Sequence, residues 1–157
     1  MRKHYSLLFL LIAFMAGSCG SDSDEPIIIL PSTPSYLLAA NDARPNWTNP
    51  DASLYELRMS VQVELGDTLA AYQSSLDLMC ATINGEVRAV TSPGETGGVI
   101  YYPLIIFDNG TGGTVSLSYY CDRLHRIYTI TNWATFNVSA APTGNSGIYR
   151  PCFTHEQ

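Results

Sequence analysis

Residues 55–65 read YELRMSVQVEL, and apolar and polar side chains alternate along the whole stretch. The apolar side consists of Tyr55, Leu57, Met59, Val61, Val63 and Leu65. A period of two is typical of a β-strand that buries one face in a core. The stretch therefore predicts an amphipathic strand, and no segment shows a helical period of useful length.

Further strand and turn signals follow along the chain. Strands predicted at 78–83 and 86–90 flank Asn84-Gly85, the favoured pair for a two-residue hairpin turn. The apolar run at 99–107 contains Pro103, which we expect at a sheet edge or a bulge because it cannot donate a ladder hydrogen bond. Other strands are predicted at 115–119, 126–130, 134–138 and 149–153. Seven to eight short strands predict an all-β fold, an antiparallel β-sandwich of the Ig-like or jelly-roll-like kind.

The N-terminus has the pattern of an export signal. Arg2 and Lys3 precede an apolar run at 7–15, which is too short to cross a bilayer as a helix. The next residues, Ala16-Gly-Ser-Cys19, resemble a lipobox. We therefore expect residues 1–18 to be a lipoprotein signal peptide and Cys19 to be lipidated. Ordinary secretory cleavage after Ser18 is the alternative.

Residues 19–46 are expected to form a tether and a linker. Their acidic tract resembles the signal that directs Bacteroidota lipoproteins to the outer face of the outer membrane, and the tract contains Ser21, Asp22, Asp24 and Glu25. A solvated spacer is the simpler interpretation. Five prolines between residues 26 and 50 predict an extended linker. The folded domain is expected at 47–157, lipid-anchored to the outer membrane and exposed at the cell surface.

The charge of the mature chain argues against some partners. The sequence has eight cationic and fourteen acidic residues, and cleavage before Cys19 removes two cations, which gives a net charge of −8. Such a surface repels nucleic acid and anionic lipid headgroups. We expect no nucleic-acid partner, and membrane contact only through the N-terminal lipid.

The remaining cysteines do not form a metal motif. Cys80, Cys121 and Cys152 allow at most one internal disulfide and show no C-x-x-C spacing. We expect first that the three side chains stay unbridged; if one disulfide forms, strand parity favours Cys121–Cys152, with Cys80 as a buried thiol. The 108–110 segment, Asp-Asn-Gly, lacks the further acidic residues of an EF-hand-type calcium loop and is interpreted as a turn. We expect no metal and no cofactor.

Candidate contact residues lie on the predicted strands. Asp77 and Arg88 are placed across the hairpin, where they could form an ion pair or contact a ligand. Adjacent tyrosines at 101–102 and 119–120 should point one ring to the core and one outward, and an outward pair could stack on sugar rings. The candidates for ligand or structural contacts are Trp47, Asp77, Arg88, Tyr101, Tyr102 and Tyr120.

Four blocks of this sequence together resemble a β-sandwich module of Bacteroidota surface and secreted proteins. The blocks are Trp47–Pro50 with Tyr55 and Met59, then Asp77–Val90, then Val115–Tyr128, and finally Gly147 with Pro151. Ala89 stands where the module usually has glycine, and its acidic position falls on Cys121 or Asp122. The resemblance implies a surface-located β-sandwich and carries no settled activity.

No motif of catalytic residues is recognisable, and neither His125 nor His155 lies in one. We therefore expect a non-catalytic surface domain that binds a glycan, a polypeptide or a partner subunit. The alternative is a structural or assembly accessory of an envelope complex.

Overall fold

The computed structural model describes residues 33–138 and 148–153. Short 3₁₀ turns occur at Ser35–Leu37 and Ala52–Leu54, and one four-residue helix, α1, at Asp67–Ala70. The strands are β1 Leu57–Val63, β2 Leu78–Ile83, β3 Glu86–Thr91, β4 Gly94–Thr96, β5 Val99–Asp108, β6 Thr114–Cys121, β7 Arg126–Thr135 and β8 Ile148–Tyr149. None of the helices in this part of the chain is long and apolar enough to span a membrane.

The strands form two four-stranded sheets. The front sheet has the order β4-β5-β1-β8, and the back sheet has the order β3-β2-β6-β7. Neighbouring strands run antiparallel except β8, which pairs with β1 in parallel at Gln62↔Ile148 and Val63↔Tyr149. The predicted all-β sandwich is confirmed, with one parallel pair that the sequence did not indicate.

The core lies between the sheets and follows the alternation of the strands. In β1, Met59, Val61 and Val63 are buried while Arg58 and Ser60 are exposed. The back sheet contributes Val115, Leu117 and Tyr119 from β6. Burial of these apolar faces is the main stabilisation of the fold.

The β2–β3 hairpin forms as predicted. Asn84 and Gly85 connect the strands with φ values of 53° and 80°, the two left-handed conformations of a type I′ turn. The register then changes, because Thr82 pairs with Val87 whereas Ala81 pairs with Ala89. Arg88 is thus the extra residue of a β-bulge.

Pro103 lies at a sheet edge, as predicted. β4 pairs with β5 only from Val99 to Tyr101, so on that side β5 has no hydrogen-bonded neighbour at Pro103 among the described strands. The adjacent edge strand β3 is capped by a side chain: Asn49 Oδ1 accepts from Val90 N over 2.6 Å, and Asn49 Nδ2 donates to Val90 O over 2.8 Å. Both devices hinder the addition of another strand.

The segment that we predicted to be a linker contacts the sandwich from its first described residues onward. The hydroxyl of Tyr128 donates to Tyr36 O, Ala40 N donates to Leu124 O over 2.8 Å, and Ile127 N donates to Asp42 Oδ2 over 2.7 Å. We call residues 40–49 the strap. The strap starts beside β7 and reaches β3 at Asn49, so it crosses the outer face of the back sheet.

Candidate functional site

A buried carboxylate joins the two sheets at the end where β2 begins. Asp77 is fully buried, and its Oδ2 accepts hydrogen bonds from Ser74 N, Tyr102 Oη and Tyr119 Oη over 2.9, 3.2 and 2.8 Å. Its Oδ1 accepts from Asp122 N over 2.9 Å. Because four donors surround it, the carboxylate is well satisfied, and it fixes the 73–77 loop against β5, β6 and the β6–β7 turn.

The two tyrosine hydroxyls of this cluster act as hydrogen-bond donors. Burial, followed by the negative charge of Asp77, raises the pKa of Tyr102. Burial, followed by the neighbouring Tyr102 and Asp77, raises the pKa of Tyr119. Both hydroxyls therefore remain protonated at neutral pH and donate to the carboxylate.

A cavity of about 260 Å³ opens beside this cluster. Its walls come from the 73–75 loop, from the turn leading into β4, from the start of β5 and from the β6–β7 turn. We call it the Gln73 cavity, and its lining includes Gln73, Ser74, Ser75, Glu95, Ile100 and Arg123. Asp77 holds two of these wall segments in place through Ser74 and Asp122.

Two charged groups of opposite sign line the cavity and are accessible to a ligand. Glu95 and Arg123 are exposed, and neither forms an ion pair with another residue in the described ranges. Gln73 Nε2, by contrast, has no accessible surface and lies against Tyr102, whose pKa the amide lowers against the larger opposing effects of burial and Asp77. An anion and a cation thus line one cavity.

The predicted Asp77–Arg88 pair is wrong. In the hairpin register Thr91 lies opposite Met79, so Arg88 is several residues from Asp77 along the ladder. Arg88 instead contacts Glu86 Oε2 at 2.8 Å and Asp108 Oδ1 at 3.8 Å, and its Nη1 donates to Tyr55 Oη over 2.6 Å. These contacts surround Arg88 at the opposite end of the sandwich and give it a structural role.

The two tyrosine pairs point one ring each into the core, as predicted: Tyr102 and Tyr119 are in the core cluster. The outward pair that could have stacked on sugar rings does not form. Tyr120 is only 1% exposed, because the strap covers it and the guanidinium of Arg44 lies 5.7 Å from its ring centroid. Tyr101 is half-buried on the front sheet, where its hydroxyl accepts from Thr96 Oγ1 over 3.3 Å.

Trp47 and the three cysteines lie in different environments. Trp47 lies half-buried in the strap. Cys80 and Cys121 are buried thiols without a disulfide, in agreement with the unbridged expectation, and Cys152 lies exposed in the segment after β8, so the Cys121–Cys152 pair is not formed. Parity placed Cys121 correctly on the core face, whereas the closing segment has no periodicity to place Cys152.

The 108–110 segment is a turn held by its amide. Asn109 Oδ1 accepts from Glu56 N over 2.9 Å, and Asn109 Nδ2 donates to Leu54 O over 3.1 Å. Within residues 33–138 and 148–153, no three His, Cys, Asp or Glu side chains group in a way that could hold a metal ion. The lipidation residue Cys19 and the acidic tract, Ser21 to Glu25, lie outside the described residues.

The sequence did not indicate Gln73, Glu95 or Arg123. They occur in connections or in the three-residue strand β4, without a shared motif, and only the packing of the two sheets brings them to one cavity.

In comparisons with known proteins, the chain matches no family model, no curated protein and no solved structure. The properties of the site therefore follow from its own residues.

Proposed function

We propose that this chain is a lipid-anchored protein of the outer membrane, exposed at the cell surface, and that its sandwich domain is a non-catalytic binding module. The anchor rests on the lipobox-like residues that end at Cys19, and the address on the acidic tract after it. The observation that carries the binding function is the Gln73 cavity, where an exposed carboxylate and an exposed guanidinium that do not pair with each other line one opening on a rigid framework.

The chemistry of the cavity favours binding over catalysis. Asp77, the carboxylate next to it, is occupied by four hydrogen-bond donors and serves to hold the loop. The hydroxyls of Tyr102 and Tyr119 have raised pKa values and point to that carboxylate. The charged groups left for a ligand are the carboxylate of Glu95 and the guanidinium of Arg123, which are recognition groups for one polar unit of a glycan or a polypeptide.

A second candidate function, assembly with an envelope protein, is supported by the outer face of β5. Val99 and Ile105 are 48% and 49% exposed there, although β5 is apolar on both faces. A shallow groove with Ser60, Gln62, Pro103 and Ile105 in its lining follows the same face. Exposed apolar side chains on a strand are typical of a contact surface for a partner subunit.

One pair of variants tests the cavity as the binding site. Ser75 is exposed and lines the cavity, so Ser75→Trp should fill the opening, whereas Thr111→Trp places the same ring on a distant exposed turn. The purified protein is applied to arrays of saccharides and of short peptides. We expect a discrete ligand that Ser75→Trp loses and Thr111→Trp retains. Equal binding by both variants would rule out the cavity.

The assembly function is tested by capture from solubilised envelopes. Ile105→Arg places a charge on the apolar face, and Thr114→Arg is the matched change at an exposed strand position elsewhere. Stoichiometric capture of an envelope protein, lost only in Ile105→Arg and unaffected by Ser75→Trp, would support the assembly role instead of the cavity.

A further inference from the structure

The charges on the walls of the Gln73 cavity are of opposite sign and come from different sheets. Glu95 belongs to β4 of the front sheet, and Arg123 to the turn between β6 and β7 of the back sheet. Both are exposed, and in the described part of the chain they do not form an ion pair with each other. A ligand that carries both charges can therefore satisfy both side chains at once.

The Arg123 guanidinium decides which end of the ligand it can receive. It carries several hydrogen-bond donors in a fixed plane and no acceptor. A carboxylate matches it, because its two oxygens accept two parallel hydrogen bonds. Gln73 Nε2 has no accessible surface and lies against Tyr102, so it belongs to the wall of the cavity and not to the ligand contacts.

The net charge of the protein narrows the ligand further. With a net charge of −6 over the whole sequence, the surface disfavours the approach of a simple anion. A zwitterion has no net charge and avoids this repulsion. The cavity, at about 260 Å³, is below the roughly 300–1,000 Å³ of sites for drug-sized ligands. Ile100 and Pro93 provide an apolar wall.

We infer that the Gln73 cavity binds a small zwitterion, an amino acid or a short peptide with both ends charged, with its carboxylate at Arg123 and its ammonium at Glu95. This inference rests on the proposed binding function and names its ligand class. The apolar wall at Ile100 and Pro93 then receives the ligand's side chain.

Calorimetric titration of the full-length protein tests the inference. The ligands are L-leucine, the dipeptide Gly-Leu, N-acetyl-leucinamide with both charges blocked, and the neutral sugar N-acetylglucosamine. We expect saturable binding of leucine or of Gly-Leu. The tighter binder of the two shows whether the natural ligand is a free amino acid or a peptide. The blocked analogue should bind at least tenfold more weakly, because both charge contacts are lost.

Two charge-removing variants are compared with two controls. Arg123→Gln and Glu95→Gln should each weaken zwitterion binding about tenfold. Arg58→Gln and Glu56→Gln, exposed and outside the cavity lining, should leave it unchanged. All four positions are exposed, so the variants are expected to fold, which thermal melting checks.

The outcomes separate this inference from the proposed function. The neutral sugar could bind instead, with binding that Ser75→Trp abolishes and Arg123→Gln leaves intact. That result overturns the zwitterion as the ligand and keeps the binding function of the cavity. Zwitterion binding that is equal in all four charge variants also overturns the inference. If the cavity variants affect no ligand in the titrations or on the arrays, both the inference and the proposed site are wrong.

Discussion

The hydroxyl of Tyr119 donates a hydrogen bond of 2.8 Å to Oδ2 of Asp77, deep between the two sheets. Tyr102 reaches the same oxygen from the front sheet over 3.2 Å, and the two rings meet edge to face with centroids 5.7 Å apart. One carboxylate oxygen therefore joins a strand of each sheet and the loop that lines the cavity.

Replacing Asp77 tests how strongly this cluster stabilises the fold. Asp77→Asn keeps the shape but removes the charge and turns one acceptor oxygen into a donor facing other donors. We expect a loss of about 3 kcal/mol or more in the free energy of unfolding, measured in urea. Glu56→Gln, an exposed change, should stay within about 0.5 kcal/mol. A similar small effect for Asp77→Asn would contradict the role of the cluster.

The stability should fall in alkali. Folding raises the pKa of Tyr102 and of Tyr119 above the unfolded value of about 10, so the unfolded state loses these protons first. Their contribution is complete below pH about 10 and is lost as the pH rises towards the folded pKa values. Urea unfolding at pH 8 and pH 11 measures the effect. Tyr119→Phe should reduce the fall in the free energy of unfolding between pH 8 and pH 11. An equal fall in this variant and in the wild type would contradict the contribution of Tyr119.

The cap on the β3 edge makes a separate prediction. Asn49→Ala leaves Val90 N and Val90 O without their partner side chain, which should cost about 1–2 kcal/mol. The uncovered edge should also promote self-association, seen by light scattering. Asn46→Ala, an exposed change in the same strap, is the control. Monomeric Asn49→Ala protein of unchanged stability would show that the cap has no such role.

The thiols should differ in reactivity. Burial raises the pKa of Cys80 to about 12 and also raises that of Cys121. At pH 8 we expect iodoacetamide to spare both thiols in the folded protein and to modify the exposed Cys152. In urea all three should react. Peptide mass spectrometry measures each site, and a cross-linked peptide containing Cys121 and Cys152 would contradict the structure.

Lipidation at Cys19 is testable in cells. Cys19→Ser should abolish acylation and leave an unprocessed or soluble protein, and globomycin should make the precursor of the wild-type chain accumulate. Cys152→Ser is the matched control and should be processed normally. Membrane fractionation and the mass of the mature N-terminus decide the outcome, and a membrane-retained, normally cleaved Cys19→Ser protein would disprove the anchor.

Most of the strands could be predicted because they leave a local signal, whereas the three-residue β4 was missed and the strands predicted at 126–130 and 134–138 form the single strand β7. A period of two fixed the faces of β1 and β6, Asn84-Gly85 fixed the hairpin turn, and Pro103 indicated the edge of β5. These signals depend only on neighbours in sequence, so they are readable without knowledge of the packing.

The strap and the cavity could not be predicted, for a different physical reason. The strap is held by single side chains, such as Asn49 and Asp42, and by isolated backbone hydrogen bonds, such as that of Ala40 N to Leu124 O, all to atoms far away in sequence. No periodicity marks such contacts, and the prolines around them are typical of linkers. The Asp77–Arg88 pairing failed for another reason: the two-residue turn at Asn84-Gly85 already places Arg88 near Ala81, several residues along the ladder from Asp77, and the bulge shifts the pairing by only one residue.

The strap also determines how the domain carries tension from its N-terminal side. A pull there loads the contact of Tyr36, which precedes the strap, and then those of Asp42 and Arg44 before it reaches Asn49 and then β1. These contacts are spaced along the chain, so they would be loaded one after another. β1 is bonded to β5 over seven residue pairs and would be loaded in shear only afterwards. Under such a pull the strap would therefore come away first, before the sandwich opens.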